Sequence, residues 1–205
     1  TPASFEPVQD YVVVKIPRFD FPKFPSTDDL LGTSMQSVGE VMAIAGTFNE
    51  SLTKAIRSLE TGKHGIRDSN DYFINMTKKE LENEITNPRP RRLFAIFEAL
   101  RRSWKANTIS KLTNIDEWFI SELEKCFSEN PSSTPVEVLK KLGWTYDDIK
   151  NQQDFIDSNV YKLVDTCSAE FDSSTPYLYS TTGKSDDDIV SGRKKVVVIG
   201  SGPNR

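Results

Sequence analysis

One histidine and two cysteines are all that this 205-residue chain offers of the residue types that most often hold transition metals. His64 lies between Gly62 and Gly65, which reads as an exposed loop position, and it cannot build a histidine metal site alone. Cys126 and Cys167 are far apart and too few for a disulfide framework, so a reducing cytoplasm is the expected compartment. No apolar run approaches the roughly 20 residues that span a bilayer, and no basic–apolar–small pattern opens the chain as a secretory signal would. Positive charge is not in excess either. Lys and Arg number 26 against 30 Asp and Glu, a net charge of -4, so the whole molecule does not draw nucleic acid or anionic membrane to itself.

What is present is ordinary for a globular protein: 37% hydrophobic, 10% aromatic and 27% charged residues, enough for one large domain or two small ones. The opening Thr1-Pro2-Ala3-Ser4-Phe5 and the closing Gly200-Ser201-Gly202-Pro203-Asn204-Arg205 read as cuts through a longer protein.

Three zones follow along the chain. In residues 1–62, Tyr11-Val12-Val13-Val14-Lys15-Ile16 is β-branched and aromatic and predicts a strand that Pro17 stops. Val38-Gly39-Glu40-Val41-Met42-Ala43-Ile44 predicts a second strand, with a bulge or close approach at Gly39. Thr47 with Glu50 predicts a capping box, Phe48, Leu52, Ala55, Ile56 and Leu59 a helical face, and Gly62 a left-handed exit.

From Lys63 to about Asn151 the pattern changes to about five short amphipathic helices around an aromatic core. Thr77 and Glu80 predict a capping box, Thr108 and Asp116 two further starts, and Thr134-Pro135-Val136-Glu137 a capped helix that Gly143 ends. Thr145 begins a last helix. In the third zone Val160-Tyr161-Lys162-Leu163-Val164 and Tyr177-Leu178-Tyr179 are extended. Residues 183–192, with Asp186, Asp187 and Asp188, read as a linker. Lys194-Lys195-Val196-Val197-Val198-Ile199-Gly200 reads as the first buried strand of an α/β unit.

The chemical signals are thin. Gly200-Ser201-Gly202 after a strand is how phosphate loops begin, because glycines admit backbone amides to a phosphate, but the helix that should follow is absent. Arg89, Arg91 and Arg92, with Arg101 and Arg102 farther on, offer either phosphate contacts or a solvated helix face whose stems cover the aromatics. The acidic total charge favours the second. Glu40, Asp147, Asp148 and Asp165 have no partner at a spacing that defines a hydrolytic site, so capping or surface roles are expected. Phe94, Phe97, Trp104, Trp118 and Phe119 at helical spacing predict core or inter-subunit contact ahead of a ligand-stacking surface.

Several long blocks carry a resemblance. TPASFEPVQDYVVVKIPRFDFPKF from Thr1, MQSVGEVMAIAGTFNESLTKAIRSLE from Met35, LTNIDEWFISELE from Leu112, VYKLVDTCSAEFDSSTPYLYSTT from Val160 and KKVVVIGSGPNR from Lys194 resemble, in order, the large subunit of carbamoyl phosphate synthetase. That family fuses two ATP-grasp units, the first making carboxyphosphate and carbamate, the second carbamoyl phosphate, with a helical oligomerization domain between them. The resemblance implies a mainly α chain. A compact oligomerization domain with its linker (residues 63–187) would be flanked by the C-terminal β/α tail of the first unit (1–62) and the first strand of the second (188–205).

It further implies a parent ligase that uses ATP with Mg2+ or Mn2+ and K+ and serves pyrimidine and arginine biosynthesis. The expected partners are the rest of the large subunit, a glutaminase small subunit or domain, and other copies of the helical domain, with no nucleic acid and no membrane. The chain itself is expected to be inactive, with no catalytic, metal or cofactor residue beyond the truncated loop at Gly200 and Gly202. Met35 and Arg205 are implied as walls of the route carbamate takes between the units. Between Gly143 and Val160 the chain is shorter than this family usually is. Two other readings stay open: an independent nucleotide-binding enzyme, and a helical module that binds an outside partner through its arginines.

Overall fold

The β-branched run after Tyr11 forms strand β1 (Val12–Phe19), paired antiparallel with β2 (Ser37–Ala45). The computed structural model describes residues 1–23, 27–68, 70–150, 152–187 and 192–200. Pro17 does not stop β1; it lies within the ladder, opposite Glu40. Each strand of a two-stranded ribbon has an open edge, and a residue without an N–H breaks no ladder bond there. The irregularity expected at Gly39 falls beside it. Arg18 pairs with Gly39 and Phe19 with Ser37, which leaves Val38 as the extra residue.

Helix α1 (Phe48–Ser58) packs on this ribbon. The Thr47 hydroxyl accepts from the Glu50 amide at 3.3 Å, but the Glu50 carboxylate does not return the bond, so the expected capping box is only half formed. Beyond the predicted apolar face, Asn49, Glu50, Ser51 and Thr53 are also buried. The reason is that α1 is enclosed, with strands on one side and later helices on the others. The left-handed exit is present at Gly62 (φ 75), preceded by a positive φ at Glu60 as well.

The helical body comprises α2 (Asp71–Ile74), α3 (Lys78–Thr86), α4 (Arg92–Arg101), α5 (Ala106–Thr113), α6 (Glu117–Ser128), α7 (Val136–Lys141), a 3-10 turn at Tyr146–Asp148, and α8 (Gln152–Asp157). The capping box at Thr77 and Glu80 and the cap at Asp116 form as expected. Helix α5 starts at Ala106 rather than Thr108, with no side-chain cap. At α7 the cap position falls to Pro135 with no side-chain cap, and the Thr134 hydroxyl donates to Glu129 at 2.9 Å. Helices α2 and α8 are unanticipated; at four and six residues they are too short to show a helical period. Gly143, at φ 90, ends the α7 segment as expected.

Phe73, Leu81, Ile85, Ile96, Phe97, Ile109, Ile120, Leu139 and Trp144 form one buried cluster that takes in Leu52 and Ile56 of α1, with Val14 and Ile16 of β1 packed against it. The helical body and α1 therefore share a single core.

Strands β3 (Asn159–Leu163) and β4 (Leu178–Thr182) make a second antiparallel ribbon. Residues 183–187 are not a free linker. The Tyr161 amide donates to Asp186 at 2.9 Å, the Leu163 amide to Asp187 at 3.1 Å, and the Asp187 amide to the Tyr161 carbonyl at 2.8 Å. Two carboxylates thus cover the open edge of β3, which would otherwise offer unpaired backbone donors. The buried strand expected at 194–200 is not formed: this stretch has no regular secondary structure, and Val196, Val197, Val198 and Ile199 are exposed. A strand needs a neighbour to satisfy its backbone groups, and none of the described residues pairs with it. The fold is mainly α with two small antiparallel ribbons.

Candidate functional site

All five clustered arginines are engaged within the chain: Arg92 and Arg102 on helix-end carbonyls, Arg89, Arg91 and Arg101 mainly on carboxylates. Arg92 donates to the carbonyls of Ile85 (2.6 Å) and Thr86 (3.3 Å) at the end of α3, and to Thr113 (2.8 Å) at the end of α5. Arg102 donates to Phe73 (2.7 Å), Ile74 (3.0 Å) and Met76 (2.7 Å), closing the end of α2, while its Nε donates to Glu98 at 2.8 Å. Arg101 joins Glu98 (2.6 Å) to the Arg67 carbonyl (2.5 Å). Arg89 and Arg91 share Asp29, and Arg91 also bonds Glu84 at 3.2 Å.

Terminal helix carbonyls lack partners within the helix, and a planar fork of donors carrying positive charge satisfies them in both hydrogen bonding and dipole. Phosphate contact through this cluster would require breaking these bonds, so the surface-arginine reading gives way to an internal clasp.

A second set of polar groups sews β3–β4 to α1. The Glu50 carboxylate, which was expected to close a box with Thr47, accepts from the Thr181 hydroxyl at 2.8 Å and from the Thr182 amide and hydroxyl at 3.0 and 3.2 Å. Lys54 donates to the Ile44 carbonyl of β2 at 2.9 Å and to the Ser180 carbonyl of β4. Burial lowers its pKa, with the Glu50 charge opposing and the Arg57 charge adding to the effect. Thr53 donates to the Gly143 carbonyl at 2.9 Å.

Lys140, buried in α7, spends its three donors on Phe155 O (2.8 Å), Ser158 Oγ (2.9 Å) and Asn159 Oδ1 (2.8 Å). Arg67 lies 3.8 Å over the Trp144 ring and donates to the Cys126 carbonyl at 2.9 Å. Burial pushes the Cys126 thiol up to about 12. Neither Lys140 nor Arg67 was singled out by sequence. Their partners are distant in the chain, and spacing carries no trace of them.

The remaining sequence-predicted residues do not converge. Met35 is 91% exposed, before β2. Gly200 ends the exposed stretch, while Gly202 and Arg205 lie outside the described residues. Glu40 pairs with Lys15 at 2.5 Å on the exposed face of the first ribbon. Asp148 accepts from the Thr145 amide and hydroxyl at 2.8 and 2.7 Å, and Asp165 from the amides of Cys167 and Ala169 at 2.8 Å each. These are capping and turn roles, as expected; Asp147 is exposed. His64 is exposed in its loop.

Phe97 is in the core with Phe94 edge-on to it, and Trp104 is half-buried beneath Lys78. Trp118 (54% exposed) and Phe119 (43%) instead gather with Phe48 into an aromatic patch at the surface.

Among the described residues no group of three His, Cys, Asp or Glu side chains could hold a metal ion, and no helix is long and apolar enough to cross a membrane. Among the described residues Gly200 has no paired strand before it, and the rest of the glycine loop lies outside them.

Helices closed by internal arginines, and two ribbons sewn to a shared helix, form the framework of this mainly α chain. Residues 40–171 match the family model described as "Carbamoyl-phosphate synthetase large chain, oligomerisation domain". The chain belongs to this family. It is 43% identical to the carbamoyl phosphate synthase large chain of Archaeoglobus fulgidus, 41% to that of Thermotoga maritima and 40% to that of Neisseria meningitidis serogroup A, with all of this chain aligned each time. It spans only about a fifth of the length of these relatives (20–21%). The first two alignments run over 232 and 225 positions, more than this chain's 205 residues, so it is the shorter partner in each. Among the described residues between Gly143 and β3 it has the 3-10 turn and the short α8.

Proposed function

We propose that this chain is the connecting and assembly module of a carbamoyl phosphate synthase large chain. The observation that carries the reading is the single core shared by α1 and the helical body, within a region that matches the family's oligomerisation domain. Residues 1–62 are assigned to the tail of a first ATP-grasp unit, 63–187 to the helical domain, and 188–205 to the start of a second, with α1 as the element that two zones share. The exposed outer face of the first ribbon, with Val13, Val38 and Met42, is where the missing part of the first unit would pack. The exposed stretch 194–200 would pair once a second sheet is supplied.

The parent's ligase activity, its ATP with Mg2+ or Mn2+ and K+, its glutaminase partner, its place in pyrimidine and arginine biosynthesis and its cytoplasmic setting belong to the same proposal. So does the carbamate route past Met35 and Arg205. Self-association is assigned to a second copy of the chain meeting the Trp118–Phe119–Phe48 patch, because the matched family model is an oligomerisation domain and the patch lies on its helices.

Calorimetric titration of the chain with ATP and Mg2+, together with a bicarbonate-dependent ATPase assay, tests the non-catalytic part. Neither binding heat nor turnover is expected; saturable binding with turnover would restore the independent-enzyme reading.

A further inference from the structure

Between α1, α7 and the second ribbon lies a cavity of about 210 Å³ whose lining includes Lys54, Arg57, Lys140 and a single carboxylate, Glu50. Both oxygens of Glu50 are occupied by Thr181 and Thr182. Lys140 has three acceptors for its three N–H groups, so it contributes charge without a free donor. Lys54 has two acceptors and keeps one N–H. Among the described residues the Arg57 guanidinium has no hydrogen-bond or ion-pair partner, and Arg57 lines the same cavity while remaining exposed.

Three cations face one carboxylate here, in a recess where low-dielectric walls strengthen the field. Burial lowers the Lys54 pKa, the Glu50 charge opposes that fall, and the Arg57 charge adds a smaller lowering.

We propose that this cavity binds a small phosphate-type oxyanion through the free Lys54 N–H and the Arg57 fork. The volume is below that of pockets for drug-sized ligands, so the occupant is inorganic phosphate or a short phosphate monoester. A tetrahedral oxyanion has oxygens enough to take both donors at once, with a charge that offsets the uncompensated cations. Because the cavity touches both α1 and β4 (Ser180), occupancy would tighten the same seam that Glu50 holds. The assignment is independent of the assembly role of the aromatic patch.

Thermal unfolding of the 205-residue chain in sodium phosphate, against sodium chloride and sodium acetate at matched ionic strength, tests it. Phosphate at about five times its Kd is expected to raise Tm by about 3 °C over chloride, the shift that about 1 kcal/mol of linkage gives a chain of this length, and acetate is expected to match chloride. Arg57→Ala, at an exposed position, should fold with an unliganded Tm close to the parent's and lose the phosphate rise. Phosphate also stabilises proteins by exclusion from their surface, so an equal rise in Arg57→Ala overturns the site. No rise in the parent chain, or a rise as large in acetate, does the same. Glycerol phosphate distinguishes the source: a stronger effect than free phosphate assigns a monoester, and a weaker one assigns the inorganic ion.

Discussion

Arg102 holds Glu98 with its Nε at 2.8 Å while the rest of its fork holds the last carbonyls of α2. Glu98 is buried and takes Arg101 on its other oxygen, so three charged groups from one helix lock a second helix in place. Replacing Arg102 by Met should cost about 2–4 kcal/mol, because Glu98 loses a partner in a buried setting and three carbonyls lose their donor. Arg102→Lys should recover little, since one ammonium cannot span the positions that a planar fork reaches. Urea unfolding, with the midpoints of both variants compared at constant slope, measures this.

Glu50→Gln should destabilise the chain by about 1–3 kcal/mol. The amide that replaces one carboxylate oxygen would meet a donor, either the Thr181 hydroxyl or the Thr182 amide and hydroxyl. The effect should be local. Hydrogen exchange should accelerate at Thr182 and across β3–β4, while the core amides of α4 keep their protection apart from the global loss.

Asp187 carries the acid dependence of the second ribbon. Hydrogen bonds from Lys162 and from the Leu163 amide hold its pKa below the ordinary carboxylate value. A carboxylate lowered by folding contributes stability that is present above its unfolded pKa, near 3.9, and is lost as pH falls through the folded value. Exchange at Leu163, measured by NMR and corrected for its intrinsic pH dependence, should therefore show protection that declines only below about pH 4. In Asp187→Asn protection should be weak throughout and no longer change with pH in that range.

The two thiols should behave oppositely. Cys126 is buried, with its pKa pushed up to about 12, whereas Cys167 is partly exposed. A thiol-specific reagent at pH 8 should label Cys167 in the native chain and reach Cys126 only on unfolding. Above the unfolded cysteine value, near 8.5, the unfolded chain ionises first, so burial of Cys126 makes stability fall as pH rises from there towards 12. Cys126→Ser should flatten part of that alkaline slope.

Local signals were legible and distant ones were not. The box at Thr77 and Glu80 and the cap at Asp116 form because each needs only residues within one helical turn. The same motif at Thr47 and Glu50 is half formed because its carboxylate finds β4 at the other end of the chain. Pro17 misled because the edge of a ribbon tolerates what the middle of a sheet does not. The acidic 183–187 segment has the composition of a linker, yet its carboxylates find the open edge of β3.

The arginines were visible as a cluster, and the acidic total charge already favoured a role other than phosphate binding. That Arg92 and Arg102 close helix ends was beyond spacing to reveal. Lys140 left no mark at all, since its acceptors depend on how α8 folds back over α7.

The assembly role rests on the surface patch at Trp118 and Phe119. Light scattering coupled to size-exclusion chromatography, run across a wide range of loading concentrations, tests it most directly. The account predicts that the weight-average mass rises with concentration for the parent chain, and that Trp118→Glu, at an exposed site, stays folded and holds the monomer mass throughout. A parent chain that remains monomeric at the highest concentration, or a Trp118→Glu variant that associates as the parent does, would contradict it.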